Sequence, residues 1–206
     1  MRSGVDIELF HDASKDEMRK RHELENDFVL LQVGNLSILG GQTESVEALH
    51  YLSKSYDNVK LILDGTGPRD TLIRLSEKLG VRDKVLFLHS VSDEELANVY
   101  AACDVFVFPS RKTWGLAAVE AMAAGKPVIA SKRAGVSEII HNDVNGIVVD
   151  HTKEIAKQVE LLMNNPKLRK KVGENAHKYV KDNLSWEKYT KNMESVFRQV
   201  LIKAKT

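Results

Sequence analysis

A glycine, a short helical stretch and one glutamate form the part of this sequence best suited to chemistry. Gly115 precedes an alanine-rich segment with the spacing of a helix, and Glu120 lies about one and a half turns into that segment. The first N–H groups of a helix have no intrahelical partners and carry partial positive charge, so Leu116 and Ala117 could hold a phosphate. Gly115 would let such an anion approach the backbone closely, and Glu120 would be within reach of whatever binds there.

Two apolar runs flank this helix and must position it. The run VFVF is followed by Pro109 and Ser110, which end it, and Gly125 ends the helix ahead of a second run, PVIA. An ordinary strand–helix–strand unit with a tight turn fits the same residues. This stretch alone therefore leaves a binding role and a purely structural role open.

The rest of the chain repeats this alternation of strands and helices. Every predicted strand is apolar throughout, which indicates that helices cover both faces of a parallel sheet. The sequence therefore predicts an α/β fold, a doubly wound parallel sheet with extra C-terminal helices. The loops after residues 33, 63, 88 and 108 should share the edge at which such sheets bind ligands. The predicted strands are 28–33, 59–63, 84–88, 105–108, 127–130 and 146–149.

Capping residues predict where several helices start. Pro68 is expected to be the first residue of the helix that follows the second strand, which should run to about residue 79. Ser92 and Glu95 have the spacing of a capping box. Asn165 and Pro166 are expected to be the cap and the first residue of a later helix.

The composition excludes several classes of function. The 206 residues carry a formal net charge of +1, which gives no overall attraction to nucleic acid, and no apolar run approaches the roughly 18 residues of a transmembrane segment. None of the seven histidines lies three or four residues from another, and one cysteine is too few for a zinc cluster, so no zinc site is predicted. The single cysteine, Cys103, is predicted to be a small core residue, which fits a reducing, cytoplasmic compartment.

Several motifs together give a more specific indication. The run PS at 109–110, followed by WGLAAVEAMAAGKPVIAS at 114–131, resembles the signature of retaining glycosyltransferases of family 4, which have the two-domain GT-B fold. Seven further segments agree with this family in the same order, so the resemblance covers nearly the whole chain. They are GVDIELF at 4–10, VLLQVGN at 29–35, LILDGTGPRDTL at 61–72, KVLFLHSVSDEEL at 84–96, AGVSEII at 134–140, NGIVV at 145–149 and LSWEKY at 184–189.

The resemblance implies a function and a set of site residues. It implies transfer of a sugar from a nucleotide diphosphate sugar with retention of configuration, without a metal ion or a cofactor. Glu120 is expected to bind the ribose hydroxyls, and Gly115, Leu116 and Ala117 are expected to present N–H groups to the diphosphate. No catalytic residue is assigned. The other nucleotide-sugar-binding residues implied are Gly34, Asn35, Gly67, Val91, Lys112 and Trp114.

The resemblance also implies a division of the chain. Residues 1–27 correspond to an interdomain linker or surface segment, 28–184 to the nucleotide-sugar-binding domain, and 185–206 to a C-terminal helix. The chain is therefore expected to be the donor-binding half of a longer enzyme. The acceptor would bind an N-terminal domain, supplied in the same chain or by a separate one, and this half alone is expected to be inactive.

Three positions depart from the family pattern. Asn35 and Gly40 stand where the family has an arginine and a lysine that neutralise the leaving diphosphate, and Lys112 stands where it has the first of two glutamates. Losing such electrostatic stabilisation typically costs about 3–4 kcal/mol per donor, although Arg111 or Lys112 could partly substitute. Two alternatives therefore stay open. The domain could be a catalytically degenerate module that binds nucleotide sugars, or a nucleotide-sugar epimerase.

Overall fold

Six parallel strands form one sheet in the computed structural model, which describes residues 4–37, 39–89, 91–111 and 114–203. The strands are β1 (Phe28–Val33), β2 (Val59–Asp64), β3 (Val85–Phe87), β4 (Val105–Phe108), β5 (Val128–Ser131) and β6 (Ile147–Val149). The strand order is β3-β2-β1-β4-β5-β6. This is the order of doubly wound nucleotide-binding folds, so the predicted fold class is confirmed.

Helices cover both faces of the sheet because alternate residues of each strand point to opposite sides. The helices are α1 (Ile7–His11), α2 (Asp16–Arg21), α3 (Gln42–Leu52), α4 (Asp70–Lys78), α5 (Asp93–Ala102), α6 (Leu116–Ala123), α7 (Thr152–Asn164), α8 (Pro166–Asn183) and α9 (Trp186–Lys203). Val29 and Leu31 of β1 lie in one apolar cluster with residues of α1, α2, α5, α6 and α8, while Leu30 lies in a second cluster with residues of α3, α4 and α7. Short 3-10 turns occupy Arg82–Lys84 and Gly135–Ile139. None of the helices in these ranges is long and apolar enough to cross a membrane.

The position of β1 places the candidate site. β1 pairs with β2 on one side and with β4 on the other, so the chain leaves these strands toward opposite halves of the sheet. The loops after β1 and β4 meet at the carboxyl edge of the sheet, where this divergence opens a crevice. The loop after β4 leads directly into α6.

The predicted helix caps have two different outcomes. The Ser92 hydroxyl accepts a hydrogen bond from the Glu95 N–H at 3.2 Å, as the capping box predicts. The Asn165 side chain caps α8 in the same way, with Pro166 at its start. The prediction for Pro68 is wrong, since α4 begins two residues later at Asp70. The residue between them, Arg69, is the N-cap, and its carbonyl accepts the first helical hydrogen bond from the Ile73 N–H at 2.9 Å.

The N-terminal segment is more closely packed than its polar composition suggests. Val5, Phe10, Met18 and Leu24 are all buried in the core on the α5–α6 side of the sheet. Val5 also forms a parallel bridge with Ser185, at the start of α9. The beginning of the described chain therefore meets the start of the last helix, α9. The assignment of this segment as an interdomain linker stays a prediction.

Arg19 ties the N-terminal segment to the sheet. Its guanidinium donates hydrogen bonds to the carbonyl oxygens of Ala102, Leu24 and Asp27 at 2.9, 3.1 and 3.0 Å. It also forms an ion pair with Asp104 at 2.7 Å, in which the side chains are 13% and 22% exposed. Because Asp104 immediately precedes β4, this network holds α2 against the strand that leads to the candidate site.

We expect Arg19→Ala to lower the free energy of unfolding by about 3 kcal/mol, because it leaves carbonyl groups and a carboxylate without their shared donor. The matched control is Arg198→Ala. Arg198 pairs with Glu194 on the surface of α9, where the side chains are 75% and 59% exposed. That change should cost less than about 0.5 kcal/mol. Urea denaturation measures both, and equal losses would contradict a fastening role for Arg19.

Candidate functional site

The loops after β1 and β4 form one continuous wall at the carboxyl edge of the sheet. The Leu39 carbonyl accepts hydrogen bonds from the Arg111 N–H at 3.1 Å and from the Ser110 hydroxyl at 3.4 Å. Gly41 has a φ of +82°, and a Cβ placed there would lie 2.7 Å from the carbonyl oxygen of Pro109. A larger residue at that position would force the two loops apart.

The loops after β1 and β2 bring together three of the predicted site residues. The Asn35 side-chain oxygen accepts a hydrogen bond from the Thr66 hydroxyl at 3.0 Å, and the Leu36 N–H donates to the Thr66 carbonyl at 2.8 Å. A Cβ at Gly67 would lie 2.6 Å from the Leu36 carbonyl oxygen. Gly34 differs, because its φ is +144° and no atom lies within 4 Å of the position of a Cβ. The backbone at Gly34 is therefore open to close approach by a ligand.

Gly115 sets the direction in which α6 starts. It is the N-cap residue, with a left-handed backbone at φ +92° and ψ +51°. A Cβ there would lie 2.8 Å from the Phe108 ring and 3.3 Å from the Cβ of Val136. The next side chain, Leu116, is 43% exposed, so the start of the helix faces solvent. The N–H groups of Leu116 and Ala117 belong to the first turn of the helix, where no intrahelical acceptor exists.

Glu120 lies one turn further along α6 with its carboxylate half-buried. Its Oε2 accepts a hydrogen bond from the Tyr100 hydroxyl of α5 at 2.8 Å. Burial raises the pKa of Glu120, the hydrogen bond from Tyr100 lowers it, and the negative charge of Asp93 raises it further. Burial likewise raises the pKa of the fully buried Tyr100, so this hydroxyl stays protonated and acts as the donor. Oε1 of Glu120 accepts no hydrogen bond from the described residues.

The remaining predicted site residues lie around these groups. Val91 and Trp114 are partly buried and pack against the apolar cluster that contains Tyr100 and Phe108. Lys112 lies outside the described residues. The structure thus places the other nine predicted residues on the carboxyl side of the sheet or on α6, and their roles in binding stay predictions.

Asn35 and Gly40, which stand where the family pattern has an arginine and a lysine, take part in neutral hydrogen bonds. The Asn35 side chain is held by Thr66 in the adjacent loop. The Gly40 carbonyl accepts a hydrogen bond from the Gln32 side chain of β1 at 2.8 Å, and Gln32 in turn accepts one from the Ser45 hydroxyl at 2.6 Å. Neutral hydrogen bonds therefore hold the loop after β1 in shape.

Arg111 lies beside a separate cavity. Its guanidinium pairs with Glu44 of α3 at 2.5 Å. The cavity measures about 550 Å³ and lies between α3 and α7, beyond the ends of β4, β5 and β6. Its lining has equal numbers of positive and negative side chains, so it has no net charge that would favour a diphosphate. The positively charged lining residues are Arg111, Arg133 and Lys153, and the negatively charged ones are Glu44, Glu47 and Asp150.

Two interactions at the site could not be identified from the sequence. Tyr100 lies among apolar residues of α5, and a buried tyrosine hydroxyl needs a polar partner, which is a signal that such a partner exists. The partner, Glu120, belongs to a different helix and becomes apparent only in the fold. The pairing of Arg111 with Glu44 has no sequence signal, because 67 positions separate the two residues.

Comparison with known proteins gives a family and close structural likenesses. Residues 14–179 match the sequence model of the family described as Glycosyl transferases group 1. An uncharacterized glycosyltransferase of Methanocaldococcus jannaschii is 35% identical over 178 residues, which is 84% of this chain and 45% of that protein. The chain spans about half the length of the curated relatives it matches.

Solved structures show the same arrangement. The Anabaena protein HepE, in complex with UDP-glucose, is 25% identical with a TM-score of 0.86, and the match covers 95% of this chain and 56% of HepE. The C-terminal domain of a glycosyl transferase group 1 family protein from Francisella tularensis is 26% identical with a TM-score of 0.77. That match covers 89% of this chain and 100% of the domain.

Within the described residues, no group of three or more His, Cys, Asp or Glu side chains is placed to hold a metal ion.

We expect Gly115→Ala to lower the free energy of unfolding by about 3 kcal/mol, through left-handed backbone strain and the contact of the new methyl group with Phe108. Gly80→Ala is the matched control. Gly80 also has a left-handed φ, +69°, but nothing lies within 4 Å of its Cβ position. It should lose about 1 kcal/mol, from strain alone. Thermal unfolding separates the two, and equal losses would argue against crowding at the start of α6.

Glu120→Gln should stabilise the fold in a defined pH range. Because the pKa of Glu120 is raised from 4.5 in the folded state, ionising it opposes folding as the pH rises from 4.5 through the folded pKa. Glutamine keeps the acceptor for Tyr100 without that charge. The stability of the variant relative to the unmodified chain should therefore grow over this range and level off above it. A constant difference between pH 4 and pH 8, measured by urea denaturation, would contradict burial of the charge.

Proposed function

Because the chain belongs to the glycosyl transferases group 1 family, we propose that it is the donor-binding half of a retaining glycosyltransferase that uses a nucleotide diphosphate sugar. The observation that carries this proposal is the pairing of an open helix start at Gly115 with a half-buried carboxylate, Glu120, one turn further along the same helix. Both lie beside the crevice at which doubly wound sheets bind nucleotides.

The diphosphate and the ribose of a nucleotide each find a matching group on α6. The N–H groups of Leu116 and Ala117 and the positive end of the helix dipole suit the diphosphate. The ionised carboxylate of Glu120 accepts hydrogen bonds from two adjacent ribose hydroxyls. A helix rises 1.5 Å per residue, which puts Glu120 about 6 Å along the axis from Leu116. That separation suits a ribose and the phosphates attached to it.

The loops after β1, β2 and β3 would enclose the rest of the donor. Gly34 leaves its backbone open toward the crevice, and Gly67 lets the second loop pack tightly against the first. Beyond β3, Arg69 donates hydrogen bonds to the Leu88 carbonyl at 2.6 Å and to Nδ1 of His89 at 2.8 Å. These bonds order the start of the loop that contains Val91, where we place the base.

We further propose that donor binding needs no metal ion and that the protein works in the cytoplasm. The helix dipole and backbone N–H groups provide the electrostatic complement that a bound cation would otherwise give. Cys103 is buried and free, and burial raises the pKa of its thiol to about 12, so it is an unreactive core residue. A chain with one buried thiol and no disulfide suits a reducing compartment.

The acceptor would bind an N-terminal domain, in the same chain or a separate one. Support comes from α9, whose C-terminal half carries exposed apolar side chains at helical spacing. Val196, Phe197, Val200 and Leu201 are 43, 59, 58 and 62% exposed. Such a stripe is typical of a helix face that packs against another protein surface.

A second candidate function is a module that binds nucleotide sugars without transferring the sugar. Transfer requires groups that stabilise the negative charge developing on the leaving diphosphate. Asn35 is neutral and held by Thr66, and Arg111 is paired with Glu44. These contacts favour a site that binds a nucleotide sugar but does not stabilise the charge that develops on the leaving diphosphate.

Calorimetric titration with UDP and GDP, at low salt and without added metal, tests donor binding. We expect one of them to bind, and EDTA to leave the affinity unchanged. Glu120→Ala should weaken binding at least tenfold, because it removes charge-assisted hydrogen bonds worth about 1.5–3 kcal/mol. Glu47→Ala, at an exposed carboxylate of the separate cavity, is the control and should bind normally.

Failure of both nucleotides to bind to the folded chain would overturn the proposal. If one binds, adding an N-terminal half from a relative with an acceptor and UDP-glucose or GDP-mannose distinguishes the two candidates. A transferase forms a glycoside with the anomeric configuration of the donor, which NMR identifies. A binding module forms none.

A further inference from the structure

We propose that Tyr100 is a positioning residue for Glu120. Its buried hydroxyl holds one carboxylate oxygen, so that the other oxygen is presented to the ribose of the bound nucleotide. This inference rests on the proposed function, because it assigns a role within the same nucleotide site. Tyr100 would not touch the nucleotide itself.

The Tyr100 ring is fixed on two sides. It is completely buried. Phe10 of α1 meets it edge to face, with the ring centroids 5.4 Å apart and the planes at 87°. Phe106 of β4 lies on another side, with centroids 5.7 Å apart. Because the ring is held on two sides, its hydroxyl has a fixed position relative to the sheet. It can therefore hold the more flexible side chain of Glu120 in one position.

The hydrogen bond from Tyr100 restricts the Glu120 side chain to one rotamer. A glutamate on a helix surface samples several rotamers, and ordering it when a ligand binds opposes binding. The bond from Tyr100 to Oε2, at 2.8 Å, fixes the carboxylate beforehand. Since no described residue donates to Oε1, we assign this oxygen to the ligand. The cost of ordering the side chain is met when the protein folds rather than when the nucleotide binds.

Tyr100 also helps Glu120 to stay ionised. Burial and the charge of Asp93 both favour the protonated acid, and the hydroxyl of Tyr100 opposes them by donating to the carboxylate. A protonated Glu120 would lose one of its acceptor positions. Removing the hydroxyl should therefore disorder the side chain and let protons compete with the ribose at higher pH.

The test is Tyr100→Phe, which keeps the ring and removes the hydroxyl. Tyr56→Phe is a matched control, because the Tyr56 hydroxyl donates to the Glu160 carboxylate at 2.9 Å on the far surface. Calorimetry compares UDP and GDP with their 2′,3′-dideoxy counterparts. The unmodified chain and Tyr56→Phe should prefer the ribonucleotide. Tyr100→Phe should bind the ribonucleotide about three- to tenfold more weakly and the dideoxynucleotide with unchanged affinity.

The pH dependence gives a second readout. On acidification, ribonucleotide affinity should fall as Glu120 becomes protonated, and in Tyr100→Phe this fall should begin at a higher pH. A tyrosine that served only to fill the core would weaken both nucleotides equally and leave the pH profile unmoved. Either of those results would overturn the inference.

The remaining outcomes separate this inference from the proposed function. If the unmodified chain binds neither ribonucleotide, both fail. If Glu120→Gln loses the preference for ribose while Tyr100→Phe retains it, only the inference fails. Should Tyr100→Phe not fold, Phe10→Leu keeps the hydroxyl and loosens the ring. It should reduce the preference for ribose, and an unchanged preference would overturn the inference.

Discussion

The placement of β1 between β2 and β4 is the constraint on which the rest of this structure depends. Because the chain leaves these strands toward opposite halves of the sheet, the helices that follow β1 and β4 lie on opposite faces, and a crevice opens at the edge where the two loops meet. Close packing between Gly41 and Pro109 and between Gly67 and Leu36 sets the shape of its walls. The left-handed backbone of Gly115 then turns the chain into α6, and the exposed start of this helix faces the same edge.

The second determinant is the placement of one carboxylate in a partly apolar setting. Burial of Glu120 opposes folding in its ionised form, yet that form suits the ribose hydroxyls of a nucleotide. A single donor, Tyr100, offsets part of this opposition and orders the side chain. Since Phe10 supports the ring of Tyr100, packing of the N-terminal segment reaches the candidate site through two aromatic side chains. Stability and binding therefore make opposite demands at Glu120.

Sequence patterns were informative wherever the cause is local. Apolar runs such as β1 and β4, and the caps at Ser92 and Asn165, follow from residue type and spacing, and they led to the correct fold class. Gly115 and Glu120 could be selected because helix geometry relates them directly. Interactions between residues that are far apart in the sequence could not be predicted from residue type and spacing. Arg19 lies in a polar stretch yet fastens α2 to β4, and Tyr100 finds its partner on another helix. The start of α4 was predicted two residues too early, because the first helical hydrogen bond is accepted by the Arg69 carbonyl, which makes Arg69 the N-cap.

We propose that a nucleotide diphosphate binds along the start of α6 and not in the cavity between α3 and α7. Amide chemical shifts of the ¹⁵N-labelled chain, followed by NMR during titration with UDP and GDP, test it directly. We expect the largest shifts at Gly34, Leu116 and Ala117. Shifts confined to Arg133, Lys153 and their neighbours around the cavity would contradict it.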